Sequence, residues 1–150
     1  MCDSILIAYD GSPEAKSALK VGLDLAAKLQ ASVTLVSILE PFPSYLNIAG
    51  SVAPELPATM LREHRDELTE LQSMTHQEAT RRNIPLQTQL LEAPEVSGIL
   101  NAARETHARL IVIGLRRHSA TLEWAGTIRQ VANESPRPIL AVPCNRDPKG

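Results

Sequence analysis

Aromatic side chains are scarce in this chain: one Trp, one Phe and two Tyr among 150 residues, 3% in all. Proteins that hold single-stranded nucleic acid stack bases on aromatic rings, and this sequence has too few to build such a platform. A formal net charge of -2 also removes the basic footprint that nucleic-acid binding needs. Apolar runs stay strand-sized, far short of the roughly 20 residues that span a bilayer. No basic segment followed by a long apolar stretch precedes the first strand, so no export signal is read and a cytosolic location is expected. Only two cysteines are present, Cys2 and Cys144, and without an export signal they are expected to stay reduced.

Further absences bear on chemistry. The cysteines form no CxxC pair, and His64, His76, His107 and His118 lack the spacing of metal ligands. There is no Gly-x-Ser-x-Gly elbow for a hydrolase nucleophile. The turn after the first apolar run holds Gly11 alone, so neither a dinucleotide fingerprint nor a P-loop is present. Asp10 stands without the acidic neighbour that a phospho-acceptor site would want. No catalytic residue is therefore assigned, and a binding or regulatory protein is expected rather than an enzyme.

With 43% hydrophobic and 21% charged residues, the composition is that of an ordinary globular protein, and the length favours one domain over 1–150 with a loose tail at 144–150. Ser4–Tyr9, Ser32–Leu39 and Leu110–Gly114 are apolar runs suited to strands covered on both faces. Pro85–Leu91 alternates as an outer strand would, and Pro138–Val142 closes the series. Between them lie helical patterns. Ser12 and Pro13 form an N-cap and first position for a helix with Ala15, Ala18, Leu19, Gly22, Ala26 and Leu29 on its inner stripe. A second helix is expected over about Ala58–Arg82, with Leu61, Leu68, Leu71 and Ala79 inward. A third starts at Pro94 with the stripe Val96, Ile99, Leu100, Ala103 and His107, and a fourth runs from about Glu123 to Glu134. Prolines at 41, 43, 54 and 57 make Glu40–Pro57 a long loop.

Alternating strands and helices predict an α/β fold: a doubly wound parallel sheet with right-handed crossovers and helices on both faces. Ligands of such sheets bind beyond the carboxyl ends of the strands, where strand order reverses. With five strands ordered 3-2-1-4-5, that crevice lies between the first and fourth, lined by Ala8, Tyr9 and Asp10 on one side and Ile113 and Gly114 on the other.

In combination, Ile5–Pro13, Ile38-Leu-Glu-Pro41, Leu110–Gly114, Gly126-Thr127 and Pro138–Pro143 resemble the universal stress protein family along nearly the whole chain. The resemblance implies a five-stranded sheet of the adenine nucleotide alpha hydrolase type, ordered 3-2-1-4-5. It also implies ATP or AMP, with Mg2+ on the phosphates, as ligand. Asp10 and the backbone of Ile38 would hold the nucleoside, and Gly114, Gly126 and Thr127, with Ile128 behind them, the phosphates. Nucleotide-binding members carry Gly-x2-Gly-x9-Gly-[Ser/Thr] here. This chain has Arg117 at the second glycine, and Gly114 to Gly126 encloses 126 − 114 − 1 = 11 residues where that pattern encloses 12. Arg117 forfeits the close backbone approach a glycine allows, while Arg116 and Arg117 offer guanidinium groups to phosphate oxygens instead.

The last strand, Pro138–Val142, carries no charge along an exposed edge and so invites pairing with a second copy. A homodimer is expected. A nucleotide-free dimeric module that engages a partner protein, through the Glu40–Pro57 loop, is the other reading of the same features.

Overall fold

The computed structural model describes residues 3–40, 56–115 and 126–144. Among them are five strands, β1 (Ser4–Ala8), β2 (Ser32–Leu39), β3 (Leu86–Glu92), β4 (Leu110–Leu115) and β5 (Ile139–Pro143), and four helices, α1 (Pro13–Leu29), α2 (Leu56–Arg81), α3 (Glu95–Glu105) and α4 (Gly126–Glu134). All strand pairings are parallel, in the order β3-β2-β1-β4-β5. The expected sheet is therefore the observed one. Residues 41–55 and 116–125 fall outside the described residues, and with them most of the Glu40–Pro57 loop and both loop arginines.

β1, β2 and β4 form the centre of the sheet because their side chains are apolar on both faces. Ile5, Ile7, Val33, Leu35 and Val112 face α1 and α2, whereas Leu6, Val36, Ile111 and Ile113 face α3 and α4. Each face is thus a separate core, with the sheet as the wall between them. The α1 stripe is made of small residues, and Gly22 lets the helix lie so close that an added Cβ would come within 2.5 Å of Ile7 Cδ1.

Helix ends follow local chemistry. Ser12 takes an extended conformation and its hydroxyl accepts the Ala15 N–H at 3.2 Å, with Pro13 in the first turn. α1, α2 and α3 each give way to a residue in the left-handed region, Gln30, Asn83 and His107, where glycine is the usual choice. Two residues expected inward lie outside the core. Leu29 is in the last turn of α1 and is 51% exposed, and His107 lies beyond α3 and is exposed. The chain is clasped at its strand entries by Asp3–Arg109 at 3.0 Å and on the α1–α2 side by Asp24–Arg82 at 2.8 Å.

Candidate functional site

Strand order reverses between β1 and β4, since α1 and α2 carry the chain one way across the sheet and α3 and α4 carry it the other. Ile5 stands beside Leu110 and Ile7 beside Val112, and two further residues of that register bring Tyr9 level with Gly114. The two strands therefore end side by side, as the crevice requires.

At the β1 end the backbone is held tightly. The Tyr9 N–H donates to the Val36 carbonyl at 2.9 Å, and the Tyr9 carbonyl accepts the Ser37 hydroxyl at 2.6 Å. Ser37 is fully buried on β2, so a polar side chain inside an apolar strand is satisfied by fixing the exit of its neighbour. The Tyr9 ring is itself buried in the α1–α2 core. Burial, and then the negative charge of Asp10, push its hydroxyl above the usual tyrosine range. Asp10 is exposed, and its Oδ1 accepts the Ser12 N–H at 2.9 Å. That bond closes the turn at Gly11, whose φ is 81°, and leads straight into the Ser12 cap of α1. A carboxylate has further acceptor capacity, so closing the turn leaves Asp10 able to accept from a ligand hydroxyl.

At the β4 end, Gly114 is needed for packing. A Cβ there would lie 2.5 Å from the Glu14 carbonyl carbon and 2.7 Å from the Ala15 nitrogen, inside the first turn of α1. Gly126 differs: it is exposed, and a Cβ would meet nothing within 4 Å. Its neighbour Thr127 donates its hydroxyl to Glu95 Oε2 at 3.2 Å, joining the first turns of α4 and α3. Glu40, just after β2, accepts the Glu95 N–H on its own carboxylate at 2.8 Å. Ile38 packs on α3 at Gly98, where a Cβ would approach its Cδ1 to 2.7 Å.

Of the residues expected at the site, Ala8, Tyr9, Asp10, Ile113, Gly114 and Ile38 sit at or beside the carboxyl ends of β1, β4 and β2, and Gly126, Thr127 and Ile128 open α4. Ile113 and Ile128 are buried in the α3–α4 core and hold their backbones rather than offering side chains. Arg116 and Arg117 lie outside the described residues. Sequence reasoning missed Ser37, Glu40 and Glu95. Ser37 had a signal, a hydroxyl among consecutive apolar residues. The Glu95–Thr127 contact spans 32 residues and no local spacing announces it. Among the described residues no three His, Cys, Asp or Glu side chains are grouped to hold a metal ion, and no helix is long and apolar enough to cross a membrane.

The model of the universal stress protein family matches residues 1–143. A universal stress protein from Thermus aquaticus, named for its place in the QAH/OAS sulfhydrylase 3' region, is 33% identical over 144 residues, 95% of this chain and 99% of the relative. The crystal structure of a family protein from Burkholderia pseudomallei superposes with a TM-score of 0.75 at 27% identity, covering 94% of this chain and 96% of that one. Two more distant structures share the fold. One is the Archaeoglobus fulgidus universal stress protein in complex with dAMP (TM-score 0.65, 19% identity, 95% and 98% covered). The other is a universal stress protein in complex with cAMP (TM-score 0.59, 19% identity, 93% and 95% covered). With the family match, the sheet order and the relatives in agreement, this chain belongs to the universal stress protein family.

Proposed function

We propose that the chain, as a single universal stress protein domain, binds an adenine nucleotide such as ATP or AMP, weakly, at the carboxyl ends of β1 and β4. It acts as a cytoplasmic stress-response regulator and not through fast chemistry. The observation that carries this reading is the parallel pairing of β1 with β4 at the strand-order reversal, after which the chain runs on to Asp10 and to Gly114, with the open backbone of Gly126 at the start of a helix beyond β4. The dAMP and cAMP complexes of proteins with the same fold supply the ligand class.

In this reading Asp10 accepts hydrogen bonds from the ribose, the backbone near Ile38 meets the base, and Gly126 and Thr127 meet the phosphates at a helix start, where N–H groups point outward. Arg116 and Arg117 add positive charge to the phosphates. A magnesium ion would arrive with the phosphates of ATP, which supply oxygens of the kind it prefers. The β5 edge, with Leu140 at 36% and Val21 of α1 at 38% exposed, is the surface on which a second copy would pair to make a homodimer.

Two features favour the other reading, a nucleotide-free dimeric module that engages a partner protein. Gly114 already has a packing role against α1, and the Thr127 hydroxyl is already bonded to Glu95. Calorimetric titration with ATP, AMP and cyclic AMP separates the two. Heat of binding at micromolar to millimolar ligand is expected, and Arg117→Gly shows whether that side chain obstructs the phosphates. Absence of heat with all three ligands at millimolar concentration ends the nucleotide reading and leaves the module.

A further inference from the structure

We infer that Glu95 sets how well this crevice accepts a phosphate, acting as a built-in competitor for the start of α4. The inference rests on the reading above, in which Gly126 and Thr127 face the phosphates of the ligand. Thr127 Oγ1 donates to Glu95 Oε2 at 3.2 Å in a part-buried contact. The Glu95 backbone N–H donates to the Glu40 carboxylate at 2.8 Å, which anchors the first turn of α3 from which the Glu95 side chain reaches Thr127. A second carboxylate, that of Glu40, thus belongs to the same corner.

A phosphate reaching for the Thr127 hydroxyl must take the hydrogen bond now made to Glu95 and must then stand beside that carboxylate. Both demands oppose an anion. The hydroxyl has one proton to donate, so the two acceptors exclude one another. Like charges within a few ångströms in a partly buried corner also repel. A nucleoside carries no charge and asks nothing of Thr127. Glu95 is therefore a specificity determinant: it weakens phosphate-bearing ligands and leaves the nucleoside contacts at Asp10 and Ile38 untouched.

The test uses the full chain, isotope-labelled, as wild type, Glu95→Gln and Glu105→Gln. Glu105 ends the same helix and is exposed, so its variant makes the same change in net charge away from the crevice. Inorganic pyrophosphate is titrated while the amide signals of Gly126, Thr127 and Ile128 are followed. Glu95→Gln keeps an oxygen that can accept from Thr127 but removes the charge. It should respond at a concentration roughly tenfold lower than wild type, the scale by which a charged partner strengthens a hydrogen bond over a neutral one, and Glu105→Gln should match wild type. Glu95→Ala removes the acceptor as well as the charge, should respond at least as strongly as Glu95→Gln, and serves if the amide disturbs folding. Equal responses in wild type and the Glu95 variants, a matching gain in Glu105→Gln, or no response in any of them overturns the inference. Adenosine is titrated in parallel and should bind wild type and Glu95→Gln alike. If pyrophosphate binds tighter in Glu95→Gln but adenosine binds neither protein, Glu95 keeps its role and the nucleoside reading falls.

Discussion

Gly114 and Gly126 belong to one sequence pattern but are expected to respond oppositely to a methyl group. In Gly114→Ala the new Cβ would sit 2.5 Å from the Glu14 carbonyl carbon, 2.6 Å from its oxygen and 2.7 Å from the Ala15 nitrogen. All three are backbone atoms of a helix start fixed by the Ser12 cap, so no side-chain rotation relieves the clash. Either α1 or the end of β4 must move by several tenths of an ångström. Overpacking of this kind costs about 2–3 kcal/mol, and for a chain of this size that lowers Tm by about 5–10 °C. Gly126→Ala meets open space and exchanges glycine for a better helix former, so its stability should stay within about 0.5 kcal/mol of wild type. Ligand binding sorts them differently. If Gly126 serves backbone approach to a phosphate, Gly126→Ala weakens ATP binding in a fully stable protein. Urea unfolding and calorimetry on both variants measure all four quantities. A Gly114→Ala protein as stable as wild type would refute the packing argument. A Gly126→Ala protein that lost stability would refute the claim that the position is structurally open.

Other consequences can be checked separately. Ser37→Ala leaves the Tyr9 carbonyl without its 2.6 Å donor in a buried position, and urea unfolding should report a loss of about 1–3 kcal/mol. No loss would mean that the hydroxyl does not hold the β1 exit. Burial chiefly, and Asp10 second, raise the Tyr9 hydroxyl above its ordinary 10.0. Folding thus favours the neutral ring: the associated stability is intact below pH 10.0 and is lost as pH climbs through the raised value. Alkaline titration followed by phenolate absorbance should show that the step lost in Tyr9→Phe lies above 10.0, and a Tyr9 step at or below 10.0 would contradict this. Light scattering should give a dimer for wild type at micromolar concentration and a monomer for Leu140→Lys, which puts a charge on the β5 edge. A monomeric wild type refutes the interface.

The fold was legible where burial on both faces left no alternative to an apolar run, as at Ile5–Ile7, Val33–Val36 and Ile111–Ile113. Gly22 and Ala26 were readable from helical spacing, whereas Leu29, on the same stripe, was misjudged because it is the last residue of α1 and stands 51% exposed at the helix end. On α2, Gln72 and Thr75 are buried although polar. Gln72 is satisfied by the Gln89 carbonyl of β3 and Thr75 by Leu71 within its own helix, so hydropathy alone pointed the wrong way. The place of the proposed crevice was legible through topology, since strand order alone puts the ends of β1 and β4 side by side. Its side-chain wiring was not. Glu40, Glu95 and Thr127 come from three separate connections of the chain, and only the packing of α3 against both β2 and α4 makes them neighbours. The reason for glycine at position 114 was also hidden, because it depends on how closely α1 approaches the end of β4.

The most direct test of the account is to map AMP on the isotope-labelled full chain by amide chemical shifts. The account predicts that Asp10, Ser12, Ile38, Gly114 and Thr127 shift together and saturate on one curve. Shifts gathered instead along the polar groove between α2 and β3, at Thr69, Gln72, His76 and Thr88, or no shifts at millimolar AMP, would contradict it.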